Sequence, residues 1–235
     1  MSMNQTMMTN KKNAIILLSG GLDCTTALSV TADKYDYVLA LTFDYGQKAF
    51  EKEFVAASRI AKFYNIKHKV IKLDWLKEIT RTSLVSDIEI PQNLDISKKE
   101  DIEQSAKAVW VPNRNSIFVN IASAILDAQN GGVVVIGANK EEAETFSDNS
   151  KDFIEAINKS LKFSCANSIT VEAPLMDFDK KKIVSEAMKN NIPFDFINSC
   201  YMSNEGHCGN CESCLRLKKA LMLNNRKDLI SKIFK

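Results

Sequence analysis

The chain has 235 residues, with 31 basic and 29 acidic side chains and a formal net charge of +2. That length accommodates one α/β domain with a full core and a small appendage. The near-balance of charge gives no footprint for a large nucleic-acid surface and points to small-molecule substrates, while no run of apolar residues reaches the length of a membrane span.

Residues 1–12 are polar and methionine-rich, lack an apolar segment of signal-peptide length, and are expected to be a disordered leader. Ala14–Leu18 is a short apolar strand. It runs into Ser19-Gly20-Gly21-Leu22-Asp23-Cys24-Thr25-Thr26, which turns through two glycines into a helix over Asp23 to about Ala32. Glycines at such a turn let backbone N–H groups and a helix N-terminus meet an anion closely, and a phosphate chain is the expected ligand. No Lys closes the loop, so it is not a Walker A sequence. An ordinary strand–helix turn is the plain alternative. It leaves the Ser before the glycines and the Asp after them unexplained. Tyr37–Phe43 is a second strand, and Ala49–Tyr64 carries Phe50, Phe54, Ala57, Ile60 and Ala61 at helical spacing. His68–Leu73 is a third strand. Residues 80–108 show little periodicity and read as a long excursion or lid.

Val111-Pro112-Asn113-Arg114-Asn115 leads into an apolar helix over Arg114–Gln129, followed by a turn at Gly131-Gly132 and a buried-type strand at Val133–Ile136. Arg114 offers a planar donor fork suited to phosphate or carboxylate; the alternative is a helix cap at Asn113 and a solvated charge at Arg114. Further helices are expected at Asp152–Phe163 and Lys180–Lys189, with a short strand near Ser168–Glu172. This alternation predicts a doubly wound, mostly parallel sheet. Ligands of such sheets sit beyond the carboxyl ends of the strands. That rule gathers the glycine turn, Asp44-Tyr45-Gly46-Gln47 and Gly137-Ala138-Asn139 around one pocket, with Asp148 as a nearby candidate base or magnesium-region carboxylate. Each of these polar residues could equally be an ordinary turn or surface-loop residue.

Four of six cysteines fall in the last 36 residues, as Cys200, Cys208, Cys211 and Cys214. The two C-x-x-C steps bring three thiolates to one side of a tight turn, and Cys200 can complete a four-sulfur shell. Structural Zn2+ is expected there, with an iron–sulfur cluster as the chemical competitor. His207 is read as a bystander. Cysteines grouped for a metal rather than spread as a disulfide framework imply a reducing, cytoplasmic setting. Cys165 reads as a small apolar filler.

Taken together, these segments resemble the 7-cyano-7-deazaguanine synthases of queuosine biosynthesis. The resemblance rests on Ser-Gly-Gly-Leu-Asp-x-Thr-Thr, Phe-Asp-Tyr-Gly-Gln, Val-Pro-Asn-Arg-Asn, Pro174-Leu175 with Lys180, and Ser199-Cys200-Tyr201 with Cys-Gly-Asn-Cys-x-x-Cys. It covers nearly everything from Ala14 to about Leu223. It departs from the family pattern at Cys24, where Ser is usual, and around Phe146–Ser150, where only Asp148 is kept.

The resemblance implies a PP-loop domain, residues 13–195, of the adenine nucleotide alpha hydrolase-like kind, and a helical zinc-binding region, residues 196–235. It also implies an ATP-dependent carbon–nitrogen ligase that converts 7-carboxy-7-deazaguanine and ammonia to 7-cyano-7-deazaguanine. Leu18, Ser19, Gly20, Gly21, Leu22, Asp23, Cys24, Thr25, Thr26, Ala27 and Leu28 would form the ATP-binding segment, with Asp23 also helping to hold Mg2+. Lys180 and Arg114 would neutralise charge developing in the transition state. Asp44, Tyr45, Gln47, Asn139 and Asp148 are candidate contacts to base, ribose or metal. Nucleic-acid and membrane partners are not expected, and a homodimer is one option for an oligomeric state the sequence leaves open.

Overall fold

The computed structural model of the protein describes residues 11–202 and 206–234. Five parallel strands form one sheet in the order β3-β2-β1-β4-β5. They are β1 (Lys12–Leu17), β2 (Tyr35–Asp44), β3 (His68–Lys72), β4 (Gly132–Val135) and β5 (Ile169–Glu172). The expected leader at residues 1–12 lies outside the described residues except for Lys11 and Lys12, and Lys12 opens β1. Register is set by the central strand: Ile16 pairs with Ala40 on one side and Val135 on the other.

The chain winds outward from β1 through β2 to β3, then crosses back to place β4 against the other edge of β1. That reversal opens a crevice at the carboxyl ends of β1 and β4. Because side chains alternate along a strand, Ala14 and Ile16 face one layer while Ile15 faces the other.

The first layer contains α1 (Leu22–Thr31), α2 (Phe50–Phe63), α8 (Lys180–Lys189), α9 (Glu212–Leu223) and α10 (Lys227–Ile233). The second contains α3 (Asp74–Ile79), α4 (Lys99–Val109), α5 (Arg114–Asp127) and α7 (Lys151–Ser164). A short α6 (Lys140–Ala143) follows β4. Leu217, Ala220 and Leu221 of α9 share the first core with Ile183 and Ala187 of α8 and Leu28 of α1, so the C-terminal helices pack into the sheet's own core.

Every strand expected from sequence is present, and α1, α2, α5, α7 and α8 lie where their periodicity placed them. The stretch at 80–108 departs from expectation, because it holds α4 rather than continuous irregular chain. Only Ser105, Ala106 and Val109 of α4 are buried, so its apolar stripe is too short to stand out as a 3.6-residue period. Acidic Glu100 and Asp101 sit in its first turn, where the helix dipole favours negative charge.

Candidate active site

The glycine turn stands at the end of β1. Gly20 has φ +80°, and a Cβ there would lie 2.4 Å from Ala56 Cβ, so both conformation and space demand glycine. Across the crevice, a Cβ on Gly137 would lie 2.7 Å from the backbone N of Cys24. Glycine after β4 therefore lets that strand's end close upon the first turn of α1.

Gly21 stands just before α1 and caps it with no side chain. The Leu22 N–H at the helix start donates to Ser199 Oγ at 3.3 Å, while the Asn198 N–H donates to Gly20 O at 2.9 Å. Ser199 N–H in turn donates to His207 Nε2 at 3.0 Å. The segment before the cysteine turn is thus hydrogen-bonded to the glycine loop. Burial lowers the His207 pKa, in keeping with a neutral ring that accepts at Nε2.

Leu18, Ser19, Gly21, Leu22, Asp23 and Cys24 line one cavity of about 270 Å³. Gly20 supports the turn from behind. Thr25 and Thr26 are buried one step further along α1, where their hydroxyls donate to Gly21 O and Leu22 O at 2.7 and 2.8 Å. Ala27 and Leu28 belong to the core. Cys24 faces Ser19 Oγ at 3.5 Å and donates to Gly21 O at 3.4 Å, and burial raises its thiol pKa.

Lys180, at the start of α8, forms an ion pair with Asp23 and a second with Glu142 at 3.0 Å. Two carboxylates therefore share one ammonium, which leaves a net negative charge beside the helix N-terminus. Burial raises the Asp23 pKa to about 6, with Lys180 opposing and Glu142 adding to the shift. Glu142 is held below its ordinary value: burial pushes it up, but Lys180 more than offsets this. Burial likewise disfavours charge on Lys180, and the two carboxylates override it. Asp23 Oδ1 is buried and has no hydrogen-bond partner among the described residues. An acceptor orphaned in this way, beside a phosphate-type loop, suits a hard cation with oxygen ligands.

The far end of the cavity is lined by Phe43, Tyr45, Gln47, Glu53, Trp110, Arg114, Asn115, Phe118 and Asp148 among others. Phe43 and Phe118 stack with centroids 4.0 Å apart. Arg114 donates from Nε to Asn115 Oδ1 at 3.3 Å, and no carboxylate forms an ion pair with it among the described residues. Burial works against its charge, but Tyr45 and Asp148 nearby more than restore it. Burial raises the Asp148 pKa, with Arg114 opposing.

Gln47 lines the cavity with its amide fully engaged. It donates to Phe43 O and Glu53 Oε2 at 2.9 and 2.8 Å and accepts from Tyr45 N at 3.0 Å. Asp44 and Asn139 stand behind the lining. Asp44 accepts from Gly46 N at 3.1 Å, and Asn139 caps α6 by accepting from Glu142 N at 3.1 Å.

Sequence reasoning passed over Glu142, Glu53 and Ser199 as separate functional candidates. For Glu142 a signal existed: Asn139 followed three residues later by Glu is the pattern of a helix start, which puts that Glu at the end of β4. Glu53 carried none, since its place beside Arg114 arises from packing between distant segments.

The sulfur atoms of Cys200, Cys208, Cys211 and Cys214 all lie within 4.8 Å of one another, with Cys208 and Cys214 at 3.9 Å. A divalent ion with bonds of about 2.3 Å to four sulfurs would space them about 3.8 Å apart, so the donor set fits a metal ion. Backbone N–H groups of Met202 and Cys208 point at Cys200 Sγ, and those of Asn210 and Cys211 at Cys208 Sγ, all at 3.3–3.5 Å. Hydrogen bonds from the Cys211 and Cys214 thiols lower the Cys200 pKa, while these two thiols are themselves pushed up. Ionising all four requires a positive charge at their centre. Gln92 and Asn93 of the 80–98 segment bridge to Cys211 and Asn210, so that excursion packs on the cysteine turn.

A glycine turn after β1, an unpartnered carboxylate oxygen beside it, and a crevice at the strand-order reversal define an α/β protein of the PP-loop kind. Its backbone superposes with TM-score 0.51 on the U34-tRNA thiolase NcsA from Methanococcus maripaludis, solved with its [4Fe-4S] cluster, over 95% of this chain and 70% of that one at 14% identity. At that identity the likeness speaks of fold alone.

The chain belongs to the family described as "Queuosine biosynthesis protein QueC", which matches residues 13–225. It is 42% identical over 221 residues to the 7-cyano-7-deazaguanine synthase of Methanosarcina barkeri, covering 92% of this chain and 96% of that protein. It is 44% identical over 210 residues to the protein of the same name from Carboxydothermus hydrogenoformans, covering 89% and 98% respectively. No helix among the described residues is long and apolar enough to cross a membrane.

Proposed function

We propose that this protein is a cytoplasmic ATP-dependent ligase that converts 7-carboxy-7-deazaguanine and ammonia to 7-cyano-7-deazaguanine. The observation that carries this reading is a single cavity holding both the glycine turn and Arg114, a cavity-lining guanidinium with no carboxylate paired to it. One end suits a triphosphate. The other suits an acid awaiting activation.

A carboxylate is a poor electrophile, and its oxygen is a poor leaving group. Attack of that oxygen on a phosphorus atom of ATP breaks a bridging P–O bond, expels pyrophosphate or ADP, and converts the oxygen into part of a good leaving group. Ammonia then adds to the carbonyl carbon, the activated oxygen departs with its phosphorus, and an amide remains. A second activation, at the amide oxygen, permits loss of that oxygen and of both N–H protons to leave C≡N.

The N–H groups of the turn would receive phosphate oxygens, with Ser19 beside them. Arg114 would hold the carboxylate and steady the charge that develops on it, and Lys180 would do so on the phosphate side. Asp148, raised by burial, would take a proton from the attacking ammonia. Asp23, with its unpartnered Oδ1, and Glu142 would hold Mg2+, which supplies charge neutralisation on phosphate oxygens. The four cysteines, whose sulfurs lie within 4.8 Å of one another, would hold Zn2+ as a closed structural site. Only Cys200 of the four touches the cavity. Orienting two substrates together accounts for most of the catalysis.

The test is to incubate the protein with ATP, Mg2+, ammonium and 7-carboxy-7-deazaguanine and to follow masses. The amide should rise and fall as the nitrile accumulates. An unaltered acid in the presence of intact metal and bound ATP overturns the reading.

A further inference from the structure

Glu53 stands on the first turn of α2 and lines the aromatic end of the cavity, close to Arg114. No cation is paired with it among the described residues; its only side-chain hydrogen bond there is the one accepted at Oε2 from Gln47. Gln47 is itself fixed by Phe43 O and Tyr45 N, so the carboxylate is held in one orientation. Oε1 is left without a donor from the described residues. Burial raises the Glu53 pKa, with Gln47 and Arg114 opposing.

The aromatic end thus contains the cation Arg114 and, besides Asp148, the carboxylate of Glu53, which the fold keeps near Arg114 without pairing the two. A complementary ligand carries an anionic group for the first and N–H donors for the second, joined by a flat apolar ring. A carboxylate only accepts hydrogen bonds. A guanine-type pyrimidine ring offers two adjacent donors, the ring N–H and the 2-amino group. An adenine-type edge alternates donor with acceptor, and its lone pair would face the carboxylate. A hypoxanthine-type edge lacks the second donor.

We infer that Glu53, oriented by Gln47, reads the ring N–H and 2-amino edge of a guanine-type base whose acid group is held by Arg114. The inference rests on the function proposed above and assigns the residue that selects the base. Gln47 acts through Glu53 as a positioning residue and makes no direct contact of its own.

Calorimetric binding to the full-length, metal-loaded protein tests this without depending on turnover. The probes are 7-carboxy-7-deazaguanine and the same acid lacking the 2-amino group. The unmodified protein should bind the amino-bearing acid about 100-fold more tightly, because the other leaves a buried carboxylate oxygen unpaired. Glu53→Gln should erase that preference while leaving ATP affinity and metal content unchanged. Equal affinity of the unmodified protein for the two acids overturns the inference even if Glu53→Gln fails to fold, as does binding of neither acid. A Glu53→Gln variant that weakens ATP alone assigns the residue to the nucleotide and also overturns it. Clear discrimination between the acids with no nitrile formed would uphold the base reading and refute the ligase.

Discussion

The two ends of the cavity are built in opposite ways. The glycine-turn end is built around one stretch, Leu18 to Cys24, whose shape follows from two glycines and the start of a helix. The aromatic end draws on residues between Phe43 and Glu53, Val109 and Phe118, and Phe146 and Asn149, with Tyr201, and only packing brings them together. A backbone-made site depends little on which side chains it carries, whereas a site made of side chains changes its ligand when one of them changes. The cysteine turn joins the two, because Asn198 and Ser199 bond to the loop while Cys200 and Tyr201 line the cavity beyond it.

The largest effect should come from breaking that joint. Cys211→Ser removes one of four sulfur donors, and a closed metal site of this type contributes about 10 kcal/mol or more to local folding. Metal content and soluble yield should both fall, and the KM for ATP should rise in whatever protein remains. Elemental analysis beside ATP kinetics decides it; an unaltered metal ratio would refute ligation.

Asp23→Ala tests the glycine-turn end alone. Turnover should drop about 10³-fold, or about 4 kcal/mol, the scale seen when a preorganised electrostatic contact is lost. Metal content should stay constant, since the cysteine cluster is untouched. Retained activity would remove Asp23 from the reaction.

A smaller effect follows from pH. Burial has lifted the Asp23 pKa to about 6, so below that value the carboxyl is increasingly neutral and cannot receive a cation. Affinity for MgATP should be flat above pH 7 and fall about tenfold by pH 5. Asp23→Asn should flatten the curve at the weak-binding end. A profile that keeps its slope in that variant points to another group.

Ser199→Ala should have the mildest consequence. Its hydroxyl accepts from the Leu22 N–H at 3.3 Å, which turns its own O–H toward donation to a phosphate oxygen of a bound nucleotide. Loss of one neutral hydrogen bond predicts a rise of about 3-fold to 10-fold in the KM for ATP, with kcat and metal content little changed. A fall in kcat at constant KM would instead place Ser199 in the chemistry.

What sequence revealed followed the same division. The strands, the glycine turn, the cysteine cluster and the helix after Asn113 each depend on neighbours along the chain, so spacing and residue type expose them. Lys180 was legible through family resemblance. Its partner Glu142 lies 38 residues away, and the shared ammonium exists only once β4 and α8 are packed. Gln47 shows the limit from the other direction. Its position at a strand end marked it as a candidate contact, yet nothing in the sequence could reveal that Phe43, Tyr45 and Glu53 already engage its amide. α4 was hidden because a helix that buries three small or medium side chains has too little apolar surface to announce itself.

The bond between Leu22 and Ser199 joins residues 177 positions apart, and that between Gly20 and Asn198 lies beside it. During synthesis, the amino-terminal turn leaves the ribosome long before the residues that brace it. An emerging chain can assemble α1 early, but the brace on its glycine turn is complete only after the segment before the cysteine turn arrives. A copy that ends before Asn198 lacks both of these bonds.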